Sequence, residues 1–154
     1  MKKHFSVLLP LLLLLIPMGG FAQKALFEKY ENTNGVTTVY ISQSMLRMVP
    51  NMGAAGHDFS SVSRKLDGIR ILNCERQSLA STIRNQAEEM IRKEGFEVVI
   101  KVNESGEHTT IYRKQLKGGR SECVLLHHSD SGLNVIDITG TMTLDEIRDI
   151  MGSK

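Results

Sequence analysis

The sequence predicts an α+β domain with a mixed, mainly antiparallel sheet of five or six strands and helices packed mostly on one face. Helical periodicity collects in the first half of the chain, whereas four strand-like runs joined by short turns fill residues 96–139. Segregated helices and strands favour α+β over a doubly wound parallel fold. Short turn-linked strands favour an antiparallel meander.

The chain begins with the three parts of a cleavable export signal. A lysine pair near the start is followed by a leucine-rich apolar run. Gly20 and Ala22 then place small residues at −3 and −1 of a cut before Gln23. A membrane-spanning helix needs about 20 apolar residues, and this run is shorter and contains two prolines. We therefore predict a signal peptide over residues 1–22.

The remaining residues, 23–154, have the size of one domain. The full chain has 19 Lys+Arg and 17 Asp+Glu, and removal of Lys2 and Lys3 with the leader leaves 17 of each. This balance disfavours a nucleic-acid binder, which needs excess positive charge. We expect an exported protein, periplasmic or in the cell envelope, soluble and without a membrane span after cleavage.

Local signals predict the elements of the first half. A short helix surrounds Leu26, and β-branched and aromatic residues at 36–41 indicate a strand. Ser42 caps a helix that Pro50 ends.

A second helix is predicted from Asp58 as its cap to Gly68 as its end. A short strand follows at 69–73, and the apolar stripe of residues 78–94 indicates the longest helix. Gly95 ends that helix.

Four strands are predicted in the second half, at 96–102, 109–116, 122–128 and 133–139. The first alternates, which places Phe96, Val98, Ile100 and Val102 on one face. Because the strands at 69–73 and 96–102 flank a helix, they are candidates for one parallel βαβ unit. Thr143 and Glu146 form a capping box for a last helix.

The predicted core consists of apolar residues from these elements: Phe59, Leu66, Ile71, Leu79, Ile83, Ile91, Val98, Ile100, Leu125 and Ile136. Cys74 and Cys123 lie in or beside predicted strands with apolar neighbours. An exported chain with two cysteines can pair them, but this setting favours two buried free thiols.

Three segments resemble an exported protein family. They are residues 39–42 (Val-Tyr-Ile-Ser), the pair Met45-Leu46, and residues 65–72 (Lys-Leu-Asp-Gly-Ile-Arg-Ile-Leu). Over nearly all of 23–154 the chain is similar to the domain of unknown function 4252, an exported family of Gram-negative Bacteroidetes. The resemblance implies an envelope location and a link to envelope regulation, and it assigns no catalytic residues.

The histidines give no metal-site spacing, and we expect neither a metal nor a cofactor. His127 and His128 are adjacent in a strand, so they point to opposite faces, while His57 and His108 lie in separate loops. A zinc site needs three or four convergent ligands.

Three methionines, Met45, Met48 and Met52, allow three interpretations. Thioethers bind Cu(I) outside the cytoplasm, methionine fills cores, and an exposed strip contacts a partner. Core packing is the interpretation that helical spacing favours.

No nucleophile motif is complete. Cys123 needs a nearby base, and His127 lies about 13 Å along the same strand. The serine-lysine spacing before Lys65 is absent because Val62 occupies the required position. The nucleophile elbow, P-loop and dinucleotide motifs are also absent.

Four cations surround the Gly118-Gly119 turn without an acid between them: Arg113, Lys114, Lys117 and Arg120. Such a cluster selects an acidic envelope protein or an anionic ligand; the alternative is a solvated hairpin whose lysines protect a strand edge. The sequence therefore predicts a non-enzymatic binding or regulatory domain, with a small hydrolase or thiol enzyme assembled from distant residues as the alternative.

Overall fold

The computed structural model describes residues 21–49, 53–54 and 56–152. Within them lie four α-helices, and their bounds are α1 (Phe21–Tyr30), α2 (Gln43–Met48), α3 (Gln77–Lys93) and α4 (Leu144–Gly152). The long strands are β1 (Val36–Ser42), β4 (Leu66–Cys74), β5 (Glu97–Glu104), β6 (Glu107–Gln115), β7 (Ser121–Ser129) and β8 (Gly132–Gly140). Two further strands of two residues each, β2 (Gly53–Ala54) and β3 (His57–Asp58), pair with each other in a separate small sheet.

The six long strands form one sheet in the order β1-β4-β8-β7-β6-β5. This confirms the α+β class and the sheet size predicted from the sequence. Strands β5 to β8 form the predicted antiparallel meander, and every neighbouring pair is antiparallel. β4 and β5 point the same way, as a βαβ unit requires, but three strands separate them, so no parallel pair forms.

Both faces of the sheet are covered. The longer helices, α1 and α3, share one face with a core from Leu72, Val124 and Val135. The shorter α2 and α4 cover the other face over Ile71 and Ile136. The prediction of helices mostly on one face thus holds for the long helices, and the short ones complete the second layer.

The helix predicted from Asp58 to Gly68 does not form. Asp58 does cap a turn, accepting a hydrogen bond from the backbone N–H of Ser60 at 2.9 Å. Only a 3₁₀ turn, Ser63–Lys65, follows, and Leu66 already begins β4. Gly68 pairs with Ser42 and Thr139 inside the sheet. Pairing with two strands outweighs a helical spacing that local sequence alone suggested.

A register shift in β5 overturns the predicted single apolar face of that strand. Val98 pairs with Tyr112, and Ile100 pairs with Ile111, the residue directly before Tyr112 in β6. Adjacent residues of a strand point to opposite faces of the sheet. The bulge between them turns their side chains to opposite faces. Val98 is therefore 57% exposed and not a core residue, and Ile100 is half-buried. The other predicted core residues are buried, except for the half-buried Leu79.

Most local capping predictions are confirmed. The Ser42 hydroxyl accepts a hydrogen bond from the backbone N–H of Met45 at 3.3 Å and caps α2. Thr143 and Glu146 exchange the two hydrogen bonds of a capping box, at 2.9 and 3.2 Å. Gly95, with φ of 76°, ends α3.

Most of the predicted signal peptide, residues 1–20, lies outside the described residues. The predicted cut before Gln23 falls inside α1, two residues after its first residue. Among the described helices, none is long and apolar enough to cross a membrane.

Candidate functional site

The two edges of the sheet differ in chemistry. β1 has the sequence Val-Thr-Thr-Val-Tyr-Ile-Ser, without a charge or a proline. All seven residues pair with β4 without a register shift, so the other side of β1 presents a regular row of backbone groups. β5 carries Glu97, Lys101 and Glu104 and contains the bulge. Charges and bulges are how proteins block an edge from pairing, and β1 has neither.

Exposed apolar side chains surround β1. Val39 is 41% exposed and Tyr40 is 62% exposed. Met45 and Met48 on α2, directly after β1, are also exposed, at 46% and 77%. The core interpretation of these two methionines is therefore wrong, and an exposed strip fits them; Met52 lies outside the described residues.

A cleft of about 290 Å³ runs between α1 and β1. Lys24, Glu28 and Glu31 line it on the helix side, and Tyr40 and Arg70 line it on the sheet side. The Arg70 guanidinium carbon lies 5.0 Å from the centre of the Tyr40 ring, a cation–π distance. Tyr40 thus joins the open edge to the cleft.

Arg70 also reaches inward to a buried carboxyl group. Its Nη1 lies 3.3 Å from Oδ2 of Asp137, which is 1% exposed. Among the described residues no conventional donor reaches the other oxygen, Oδ1. Burial, together with the neighbouring Glu122 carboxylate, raises the pKa of Asp137 to about 7. When protonated, Asp137 can donate a hydrogen bond to Glu122, with which its side chain interacts.

Glu122 is the second carboxyl group of this buried network. Burial raises its pKa, and the positive charge of Lys114 opposes the shift. Lys114 faces Glu122 as its cross-strand partner in β6. The Lys114 ammonium is also 2.9 Å from Glu94 and 5.5 Å from the Phe96 ring centre. Two cations, Arg70 and Lys114, therefore compensate the buried acids.

The structure does not gather the four hairpin cations into one patch. Arg113 pairs with Cys123 and Lys114 with Glu122, so their side chains take opposite faces of the sheet. Arg113 donates to Gln115 at 3.0 Å, and Arg120 contacts Asp67 at 2.7 Å. Lys117 is exposed at the tip, beside glycines with φ of 73° and 71°. Acids distant in sequence thus neutralise Lys114 and Arg120.

Both cysteines are free and buried. Cys74 belongs to the core under α1 and α3, and Cys123 to the core under α2 and α4. The sheet therefore stands between them and prevents a bridge. Burial raises the pKa of the Cys123 thiol to about 11, which leaves very little thiolate at neutral pH. The Nδ1 atom of His127 is hydrogen-bonded to the hydroxyl group of Thr109 at 2.8 Å.

The structure places His57 in β3 and His108 in β6, so the prediction that these two histidines lie in loops is wrong. His128 stacks on its cross-strand neighbour His108, with ring centres 4.7 Å apart, while His127 takes the other face. His57 contacts the backbone oxygen of Ile150 at 3.1 Å. Within the described part of the chain, no three His, Cys, Asp or Glu residues converge as metal ligands.

The cleft and the buried network were not predicted from the sequence. Arg70, Asp137 and Glu122 lie in three different strands, and no spacing along the chain announces their contact. One signal was present: Asp137 interrupts the apolar run from Val135 to Ile138, and a buried acid needs a partner.

Among the comparisons with known proteins, the match to a family model identifies the family of the chain. No curated protein and no solved structure matches it. The family model described as domain of unknown function (DUF4252) matches residues 30–150, which include the whole sheet, α2, α3 and all of α4 except its last two residues. The chain belongs to this family of proteins with a domain of unknown function.

Proposed function

We propose that the chain is an exported binding domain without catalysis, and that β1 is the edge by which it binds an extended strand. One observation carries the proposal: β1 is an uncharged, regular edge strand, whereas the opposite edge of the same sheet is blocked. An added strand pairs with the free backbone groups of such an edge, and neighbouring pockets select its side chains.

The surroundings of β1 supply the side-chain contacts that strand addition needs. Tyr40 and the cleft behind it lie on the α1 side of the strand. Val39 lies on the α2 side, and Met45 and Met48 follow immediately along the chain. Flexible methionines and a large aromatic ring are typical of contact surfaces. The cluster of exposed apolar residues therefore favours an interface at β1.

The hairpin around Gly118-Gly119 is a second proposed contact, for an acidic envelope protein or an anionic ligand. Two of its four cations form no ion pair among the described residues. They are the exposed Lys117 and the half-buried Arg113, which donates a hydrogen bond to Gln115. Replacing Lys117 with Ser tests this contact without breaking an internal ion pair. We expect weaker, salt-sensitive capture if the hairpin takes part.

The alternative is a small envelope hydrolase, and the Glu122–Asp137 pair is the observation that favours it. Paired carboxyl groups with raised pKa values are typical of acid–base sites. Here, however, both side chains are buried and Arg70 separates them from the cleft. A screen of ester, peptide and glycan substrates decides: turnover that Asp137→Asn abolishes, in a variant that still folds, contradicts the binding proposal.

A photo-crosslinking amino acid at Tyr40 tests the binding edge in the cell envelope. The matched control places the same group at Val98, which is similarly exposed and lies in the same cross-strand row at the blocked edge. We expect a discrete crosslinked product from Tyr40 and none from Val98. Equal crosslinking at both positions, or none at either, contradicts the proposal.

The proposal of export rests on the leader, with its lysine pair, its apolar run and the small residues Gly20 and Ala22. The intact mass of the protein recovered from the envelope tests it. We expect an N-terminus at Gln23, and retention of residues 1–22 in a membrane fraction contradicts cleavage.

A further inference from the structure

We infer that the strand which occupies β1 is the β1 of a second copy of this chain, in a closed twofold dimer with one continuous twelve-stranded sheet. The inference rests on the proposed binding edge and names its occupant. Three observations carry it: the neutral composition of β1, the charges along α1, and the blocked state of the other edge.

β1 is suited to antiparallel pairing with itself. A twofold axis perpendicular to the sheet, passing beside Val39 at the middle of the strand, makes the two copies antiparallel. Val39 then faces its own copy on one side of the sheet, and Tyr40 faces Thr38 of the second copy on the other. Paired valines and a Tyr–Thr pair are favourable cross-strand neighbours. Because β1 has no charge, no like-charge pair opposes this register.

The charges beside the cleft are also self-complementary. Lys24 lies near the start of α1, and Glu31 lies just after its last residue, both along the cleft. The same twofold axis runs the two α1 helices antiparallel on one face of the sheet, which brings Lys24 of each copy towards Glu31 of the other. Within a single copy, Lys24 pairs with Glu28 at 3.4 Å, and both side chains are more than half exposed. Such an exposed pair costs little to exchange.

The second edge explains why assembly stops at two copies. Each copy contributes its β1 to the pairing, which leaves only the two β5 edges free. Pairing at these edges is disfavoured by the bulge and by three charged residues, Glu97, Lys101 and Glu104. A self-complementary patch on one edge gives a closed dimer rather than an open filament.

Molar mass in solution tests the inference, using the protein recovered from the envelope. By light scattering after size exclusion we expect twice the chain mass for the native protein. Val39→Lys places a charge beside its own copy at the axis, and we expect a monomer with an unchanged circular dichroism spectrum. The matched control is Val102→Lys, because Val102 is 47% exposed on β5; we expect that variant to stay dimeric.

A charge exchange on α1 provides a second test that leaves β1 untouched. Lys24→Glu brings like charges together, and we expect the dimer dissociation constant to rise roughly five- to tenfold. Combining it with Glu31→Lys restores opposite charges, and we expect most of the affinity to return. Failure of the double variant to recover contradicts the α1 arrangement.

Two results overturn the second copy as occupant: a monomeric native protein, or a Val39→Lys variant that remains dimeric. The proposed function survives either result if crosslinking at Tyr40 yields a product with a different protein and Val98 does not. If Tyr40 yields no product at all, the binding edge itself is wrong. Oligomers larger than two contradict the closure provided by β5.

Discussion

Tyr40 and Val98 lie in the same cross-strand row of the sheet, one at each edge. The row runs from Tyr40 through Arg70 and Asp137 to Val98 at the far side. Both end residues are more than half exposed, but their strands differ. Tyr40 belongs to a regular, uncharged strand, whereas Val98 adjoins a bulge in a charged one. The two ends of one row thus lie on a regular, uncharged edge and on a charged, bulged edge.

The core beneath α3 should depend strongly on Ile83. This side chain is fully buried against the sheet, and we expect Ile83→Ala to lower the free energy of unfolding by roughly 2–5 kcal/mol. Urea denaturation measures the loss. Ser81→Ala, on the exposed side of the same helix, is the control and should change stability by less than about 0.5 kcal/mol. Equal effects of the two variants would show that the face of α3 is misassigned.

The buried carboxyl pair should make the protein less stable as pH rises from about 4 to 7. The pKa of Asp137 is raised from 3.8 to about 7 in the folded chain, so the folded state binds this proton more tightly than the unfolded state. Its contribution is fully present below the unfolded pKa and is lost as pH rises through the folded pKa. Glu122, whose pKa is also raised, acts in the same direction.

Asp137→Asn should flatten this pH dependence. The amide oxygen still accepts from Arg70 and the amide N–H donates to Glu122, but no proton is exchanged. Urea denaturation at pH 5 and pH 7.5 compares the two proteins. A slope that persists unchanged in the variant would assign the pH dependence to other groups.

Lys114 and Lys117 should differ in their effect on stability although both belong to the hairpin. Lys114 compensates Glu94 and Glu122 from a half-buried position. We expect Lys114→Ser to cost about 1–2 kcal/mol, between the values for exposed and buried ion pairs. Lys117→Ser should leave the melting temperature unchanged. Similar melting temperatures for both variants would mean that Lys114 does not stabilise the network.

Both cysteines should be present as free thiols. They lie on opposite sides of the sheet in separate cores. Thiol counting under denaturing, non-reducing conditions should find two per chain, and the native protein should react slowly because both are buried. Absence of free thiols in the denatured monomer would require a bridge that this sheet does not permit.

Local signals predicted the elements well because their causes lie within a few residues. The Ser42 cap, the Thr143–Glu146 capping box and the Gly95 helix end each depend on neighbouring backbone groups. The false helix after Asp58 shows the limit of this reasoning. Leu66 and Gly68 have a spacing compatible with a helix end, but two neighbouring strands bind that segment into the sheet.

The candidate site was not predictable from local pattern because its contacts join distant residues. Glu94 reaches Lys114 and Asp67 reaches Arg120 only after the sheet forms. Two of the four cations that cluster in the sequence, Lys114 and Arg120, are thus paired with acids in the folded chain. Likewise, β1 has an unpaired edge only because it is the outermost strand of the sheet. The same seven residues in the middle of a sheet would have no unpaired edge.

Amide hydrogen exchange resolved to single residues along β1 and β5 tests the central claim most directly. In each strand, alternate amides point away from the sheet, and pairing protects them. We expect the outward amides of Val36–Ser42 to be protected increasingly as protein concentration rises, and to lose that protection in Val39→Lys. The outward amides of Glu97–Glu104 should exchange fast in both proteins. Fast, concentration-independent exchange at both edges would contradict the pairing of β1 with a second copy of the chain.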